Sequence, residues 1–315
     1  MTPIGLGLAA LGRPAYLNLG HPDDLGPDRS APHLERRTHE VLDAAYAAGV
    51  RYVDAARSYG RAEAFLASWF DRRHLSAQAV TVGSKWGYRY VGDWQVQAPM
   101  HEIKDHSLAA LQRQVAKSRE LLAGRLHLYQ IHSATPESGV LEDRAVLSEL
   151  ERLREEGLVI GLTVSGPAQA ATVRRALAVD VEGANPFRCV QATWNILEPS
   201  VGPALAEAHA AGWGVIVKEA LANGRLTARS PGPALTVLEG LARRHGVGVD
   251  APAMAAAIAQ PWADVVLSGA ATVTHLLSNL RALSLELPAG DLDDLSGLAE
   301  APEDYWKLRR ALPWQ

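Results

Sequence analysis

Short apolar runs alternate with amphipathic stretches along the whole chain. The runs at 4–10, 50–53, 79–84, 126–131, 157–164, 188–192, 213–218 and 264–267 are too short for helices, and this predicts strands. Between them, residues 33–48, 62–71, 107–122, 145–155, 168–178, 199–211, 234–244 with 251–259, and 274–283 read as helices. In the first of these, Leu34, Val41, Leu42 and Tyr46 are the main apolar residues. Strand and helix in strict alternation predict an α/β fold with a parallel sheet. Eight βα units in a 315-residue chain predict a (β/α)8 TIM barrel. No linker divides it, so one domain is expected over residues 1–315. Three stretches break the rhythm. Residues 12–32 form a loop rich in Gly, Pro and Asp. Residues 86–104 carry four Trp or Tyr side chains with no clean period, the mark of a functional loop. The tail, 288–315, holds Trp306 and Trp314 and is expected to cross the barrel or border its pocket.

Ionisable residues fall where three of the strand runs stop. Asp54 follows Arg51-Tyr52-Val53, Lys85 follows Val82-Gly83-Ser84, and His132 follows Tyr129-Gln130-Ile131. In a parallel barrel these ends share the C-terminal rim, where the active sites of such barrels lie. Tyr59 stands five residues past Asp54. A phenol beside an ammonium is a proton donor of lowered pKa, and a carboxylate can hold that ammonium in place. Singly, Asp54 reads as a helix cap, Tyr59 as a packing residue and His132 as a core histidine. A buried Lys85 is less easily dismissed, because an unpaired buried lysine is costly. Together the four suit protonation of a carbonyl oxygen while another group delivers hydride to its carbon.

The motifs Asp54-(x)4-Tyr59-Gly60-(x)2-Glu63, Gly83-Ser84-Lys85-Trp86-Gly87 and Leu128-Tyr129-Gln130-Ile131-His132 resemble those of the aldo-keto reductases. The resemblance runs from about residue 4 to about residue 283. It implies that Tyr59 is the general acid in reduction and the base in oxidation. Lys85 would lower the tyrosine pKa, Asp54 would pair with Lys85, and His132 would orient and polarise the carbonyl. It also implies a nicotinamide cofactor. Ser165 and Gln191 would hold the carboxamide, with Trp194 a candidate to stack on the ring. The run Leu221-Ala222-Asn223-Gly224-Arg225-Leu226 resembles the loop that folds over the pyrophosphate, which makes Leu221, Asn223 and Arg225 cofactor candidates. The segment from Ser268 to Asn279 resembles the adenosine-phosphate segment, with Gly269, Ala271, His275 and Asn279 as contacts.

The chain departs from the family pattern at several of these points. Gly166 stands where an asparagine is usual, and the segment after the last strand lacks the customary Arg or Lys. A dianionic phosphate prefers those side chains. The resemblance therefore implies NADP(H), NAD(H) is the alternative, and Arg225 is the candidate to supply the charge from the facing loop. Ser133 replaces an aromatic residue after the histidine, which implies a wider or more polar pocket. Tyr16, Trp86 and Ser133 are the candidate substrate contacts, with Tyr88, Tyr90 and Trp94 nearby in sequence.

Composition narrows the alternatives. Net charge is −4 with no basic stripe, so nucleic-acid binding has no electrostatic support. No apolar run reaches the roughly 18 residues of a membrane span, and no stretch has the form of a signal peptide. Cys189 is the sole cysteine, which rules out an intrachain disulfide. A cytoplasmic enzyme acting on a small carbonyl or alcohol is the expectation. His21, His101 and His106 read as loop surface residues without metal-ligand spacing. Two other readings stay open. Lys218 closes a strand and would suit a Schiff-base lyase or aldolase. A slow, cofactor-binding regulatory subunit is the other.

Overall fold

The computed structural model describes residues 2–315. The chain begins with β1 (Ile4–Gly7), β2 (Tyr52–Asp54) and β3 (Thr81–Trp86). A hairpin follows, β4 (Tyr88–Tyr90) and β5 (Glu102–Lys104). Then come β6 (Leu126–Ala134), β7 (Val159–Val164), β8 (Cys189–Thr193), β9 (Gly214–Lys218) and β10 (Val265–Ser268). All but the hairpin pair in parallel, in the circular order β1-β2-β3-β6-β7-β8-β9-β10, and β10 closes on β1. This is the (β/α)8 barrel that the alternation predicts.

Helices cover its outside. α1 (His21–Leu25) and α2 (Ala31–Ala47) join β1 to β2, α3 (Ala62–Arg73) precedes β3, and α4 (Leu108–Leu122) precedes β6. α5 (Arg144–Glu155), α6 (Gln169–Leu177) and α7 (Gly202–Ala210) link the strands from β6 to β9. α8 (Pro233–His245) and α9 (Asp250–Ile258) precede β10, and α10 (Val273–Leu280) follows it. α11 (Ala289–Ser296) and α12 (Pro302–Ala311) form the tail. α5 shows why such segments become helices. Val146, Leu147, Leu150 and Leu153 make one buried stripe. Asp143 caps its start, accepting hydrogen bonds from the N–H groups of Ala145 and Val146 at 3.0 and 3.1 Å.

Inside the barrel Tyr52, Leu128, Cys189, Ile216 and Leu267 form one buried cluster, so the interior is packed rather than open. Gly83 makes room for it, since a Cβ there would lie 2.3 Å from Tyr52 Oη. The stretch 86–104 is not a bare loop: its ends pair as the antiparallel hairpin β4–β5. The loop after β1 holds α1. The last residue pairs with that loop, Tyr16 N–H donating to Gln315 O at 3.0 Å and Gln315 N–H to Tyr16 O at 3.2 Å. The tail therefore crosses the barrel mouth.

Candidate active site

Asp54, Lys85 and His132 all lie at or near the C-terminal ends of their strands, β2, β3 and β6. Asp54 is almost completely buried and gathers four donors. Lys85 Nζ pairs with Oδ2. Oδ1 accepts from Tyr52 Oη at 3.1 Å, Gln191 Nε2 at 3.0 Å and Gln130 Nε2 at 3.4 Å. Lys85 Nζ also donates to Ala55 O at 2.9 Å and to Tyr59 Oη at 3.4 Å, so its three hydrogens are all directed.

Tyr59 is placed by a turn after β2. Gly60 takes a positive φ of 58°, and a Cβ there would lie 2.5 Å from Gly12 O. The bare glycine lets the turn press against the loop after β1. Arg61 N–H then donates to Gly12 O at 2.7 Å. Four residues past Tyr59, the buried Glu63 accepts from Ser84 Oγ at 2.6 Å and Ser118 Oγ at 2.7 Å and pairs with Arg57. That hub ties the start of α3 to β3 and α4.

His132 sits at an irregularity of β6, where the register with β7 shifts between Ile131 and Ala134. Ser133 has a φ of 57°, and its N–H donates to Thr163 Oγ1 at 2.7 Å. Such a bulge re-aims a side chain. The imidazole meets the Tyr59 ring edge-on, centroids 5.5 Å apart, and Tyr88 on β4 stands 5.0 Å away. Ser58 Oγ lies 3.4 Å from His132 Nδ1. Burial, then the charges of Lys85 and Arg13, holds the His132 pKa well below its ordinary value, so the ring is neutral.

The phenol of Tyr59 departs from the expectation. Burial, then the Asp54 carboxylate, pushes its pKa well above the ordinary value, and Arg13 opposes this. Lys85 spends its charge on Asp54, which weakens its field at the phenol. Tyr59 is therefore protonated.

A cavity of about 460 Å³ opens above these groups. Asp54, Tyr59 and His132 border it, as do Tyr16, Ser133, Ser165, Gln191, Leu221, Asn223, Gly269, Ala271, His275 and Asn279. Lys85 is not on its wall but touches Asp54 and Tyr59, which are, and three other candidates lie elsewhere. Trp86 is buried outside the cavity against His106, at 5.6 Å between centroids. Trp194 packs on Trp262 at 5.8 Å. Arg225 is held by Glu300, Nη1 to Oε2 at 3.1 Å, and lies 5.5 Å over the Tyr305 ring. The three loop histidines expected at the surface are buried, for His21 and His101, or half-buried, for His106. His21 is wholly buried, His101 stacks on Trp314 at 4.2 Å, and His106 Nε2 lies 3.0 Å from His132 O.

Several cavity residues carry no clear signal in the sequence. Arg13 is buried among the rings of Tyr16, Tyr59 and Trp314, 5.1, 5.1 and 4.7 Å from their centroids. Its Nη1 donates to Ser58 O at 3.0 Å and to Glu102 Oε1 at 2.6 Å. Lys218, which the sequence does mark as the end of a strand, closes β9 and faces the cavity beside Glu219, a residue without such a mark, which pairs with Arg309 of α12 at 2.5 Å. Burial alone would raise the Glu219 carboxyl, but Arg309 and Lys218 outweigh it and bring the pKa to about 2. Nearer α10, Arg229 holds Asp24, Nη1 to Oδ2 at 2.8 Å, and His275 Nε2 lies 3.7 Å from Asp24 Oδ1. Asn223 Oδ1 is buried with no hydrogen-bond partner, while Asn223 Nδ2 donates to Asn18 Oδ1 at 3.3 Å. Among the described residues no cluster of His, Cys, Asp or Glu could hold a metal ion, and no helix is long and apolar enough to cross a membrane.

The (β/α)8 barrel thus gathers a tyrosine, a lysine, an aspartate and a histidine at its C-terminal rim. The model of the aldo/keto reductase family matches residues 3–300, and the chain belongs to that family. No curated protein sequence matches it. Among solved structures it is similar to the holo form of an aldo-keto reductase from Bacillus halodurans, at 20% identity and TM-score 0.68, over 95% of this chain and 92% of that one. A glycerol dehydrogenase from Gluconobacter oxydans matches at 19% identity and TM-score 0.69, over 95% and 91%. An aldo/keto reductase from Klebsiella pneumoniae, in complex with NADP and acetate, matches at 19% identity and TM-score 0.67, over 95% and 91%.

Proposed function

We propose that the protein interconverts an aldehyde, ketone or sugar carbonyl and its alcohol with a nicotinamide dinucleotide. The observation that carries this reading is Tyr59 Oη at 3.4 Å from Lys85 Nζ, itself paired with Asp54, with His132 against the same phenol. The dinucleotide, when bound, supplies or accepts the hydride. The cavity suits it: Gly269 leaves open space, Asn223 Oδ1 awaits a donor, and Arg229 offers a cation. Ser165, Leu221, Asn223, Gly269, Ala271, His275 and Asn279 would hold it. Gln191 contributes less directly, since its Nε2 is spent on Asp54.

The chain's own groups do the proton work. Tyr59 gives its proton to the carbonyl oxygen as that oxygen gains negative charge. Lys85, neutralised by Asp54, then donates toward the phenolate oxygen and stabilises it. In alcohol oxidation Tyr59 takes the hydroxyl proton back. Neutral His132 orients the substrate oxygen. Arg229 lines the cavity where Arg225 does not, and it would have to leave Asp24 to meet the extra phosphate of NADP(H). The Asp24 carboxylate beside it favours NAD(H) as the alternative. The test is titration with NADPH and NADH, following tryptophan quenching and nicotinamide fluorescence. Binding of either, followed by turnover of an aldehyde, supports the reading. Binding of neither overturns it.

A further inference from the structure

We infer that Lys218 binds an anionic oxygen group at the reaction end of the cavity, and that the carbonyl substrate carries this group as a carboxylate. The inference rests on the oxidoreductase reading above and adds the substrate class to it. Its basis is the pairing of charges around the site. Lys85 is paired with Asp54, Arg13 with Glu102, and Arg309 with Glu219. Among the described residues, Lys218 has no carboxylate of its own: Nζ donates its one hydrogen bond to Thr193 Oγ1 at 2.6 Å, and the Trp306 ring lies 5.9 Å from it.

That hydroxyl fixes the lysine without neutralising it. Thr193 Oγ1 donates its own hydrogen bond to Glu219 Oε2 at 3.2 Å, and Arg309 pairs with the Glu219 carboxylate. An ammonium has three N–H donors, so two remain for the cavity. Lys218 is half-buried, and a half-buried cation whose neighbouring carboxylate is already paired is stabilised by a ligand that brings an anion. Burial draws the Lys218 pKa down to about 8, which agrees with a cation short of a partner. The two oxygens of a carboxylate match the two free donors.

The location favours the substrate as the source of the anion. Lys218 borders the same cavity as Tyr59 and His132, and its charge is among those acting on the His132 ring. The cation suited to cofactor phosphate, Arg229, stands with Asp24 and His275 by α10.

The test compares reduction of 4-carboxybenzaldehyde and benzaldehyde, followed by NADH and NADPH absorbance. Support is a kcat/KM at least about tenfold higher for the carboxylate, carried by KM. Inhibition by benzoate but not benzamide also supports it. In Lys218→Met the ratio of the two substrates falls toward one, and Lys218→Arg restores part of it. The wild-type comparison stands even if Lys218→Met does not fold. Equal kcat/KM in the wild type overturns the inference and leaves the oxidoreductase reading intact. Weaker NADH or NADPH binding in Lys218→Met, with an unchanged aldehyde ratio, moves the anion to the cofactor diphosphate and overturns the carboxylate assignment. Borohydride fixation of an aldehyde on Lys218 overturns it in favour of a Schiff base. No turnover of either aldehyde overturns the oxidoreductase reading and the inference together.

Discussion

Lys85 Nζ stands 3.4 Å from Tyr59 Oη while it is ion-paired with Asp54. The ammonium reaches the phenol already neutralised, so it steers the phenol without stripping its proton. Burial keeps that proton on Tyr59. The arrangement becomes strong only when charge develops on the oxygen, because Lys85 is then already in position.

Removal of the phenol hydroxyl tests the proton step. Tyr59→Phe is expected to lower kcat by about 10²–10⁴-fold, the usual contribution of general acid catalysis. The ring stays between Arg13 and His132, so nucleotide affinity and folding should hold. Steady-state rates and a fluorescence titration on the same preparation check this. A near-normal rate would remove Tyr59 from the chemistry.

Lys85→Met separates stability from catalysis. It strands Asp54 as a buried carboxylate with only neutral donors from Tyr52, Gln130 and Gln191. Loss of one partner of a buried pair costs about 3–5 kcal/mol, readable as a shift in the urea midpoint. The double variant Lys85→Met/Asp54→Asn should recover much of that stability and none of the turnover. A single variant as stable as the wild type would show that Asp54 does not depend on Lys85.

The strand ends were legible because an apolar run that stops at Asp54, Lys85 or His132 marks both an element and its polar rim. The errors follow from strand alternation and from long-range contacts. Lys85 faces the site, so Trp86, the next residue, faces away; Thr193 reaches Lys218, so Trp194 points outward to Trp262. Arg225 is captured by Glu300 from the tail, and His101 is covered by Trp314 from the same tail. Arg13 enters the site because Gly12 and Gly60 let two loops touch. None of these contacts has a local pattern that would announce it.

His21 and His106 contribute, with His132, to the loss of stability in acid. Burial first, then nearby cations, lowers the pKa of His21 and of His106 from 6.5 to about 4. Both are neutral in the fold, and the unfolded chain binds the proton first as pH falls. The contribution of these two rings should therefore be level above pH 6.5 and decline from there to about 4. The slope is at most about 1.4 kcal/mol per pH unit for each ring. His21→Phe removes one titrating group whose two nitrogens have no hydrogen-bond partner. Urea midpoints at several pH values should show a shallower acid limb in that variant; an unchanged slope would acquit His21.

The Asp24–Arg229 pair gives a test of the cofactor choice proposed above. The carboxylate takes two hydrogen bonds from the guanidinium, and His275 lies 3.7 Å from it. A 2′-phosphate entering this corner would have to take Arg229 away from Asp24 while it met the aspartate's own negative charge. A 2′-hydroxyl could donate to that carboxylate instead. Asp24→Asn keeps the side-chain shape, removes the repulsion and releases Arg229. It is expected to tighten NADPH relative to NADH by about tenfold, the scale of one charge-assisted contact at a partly exposed site. Arg229→Gln should move the ratio the other way, and added salt should shrink both effects. Dissociation constants of the two nucleotides for the three proteins provide the comparison. If neither substitution changes the ratio, the ribose of the bound cofactor does not reach this corner, and discrimination lies with Ala271 and its neighbours.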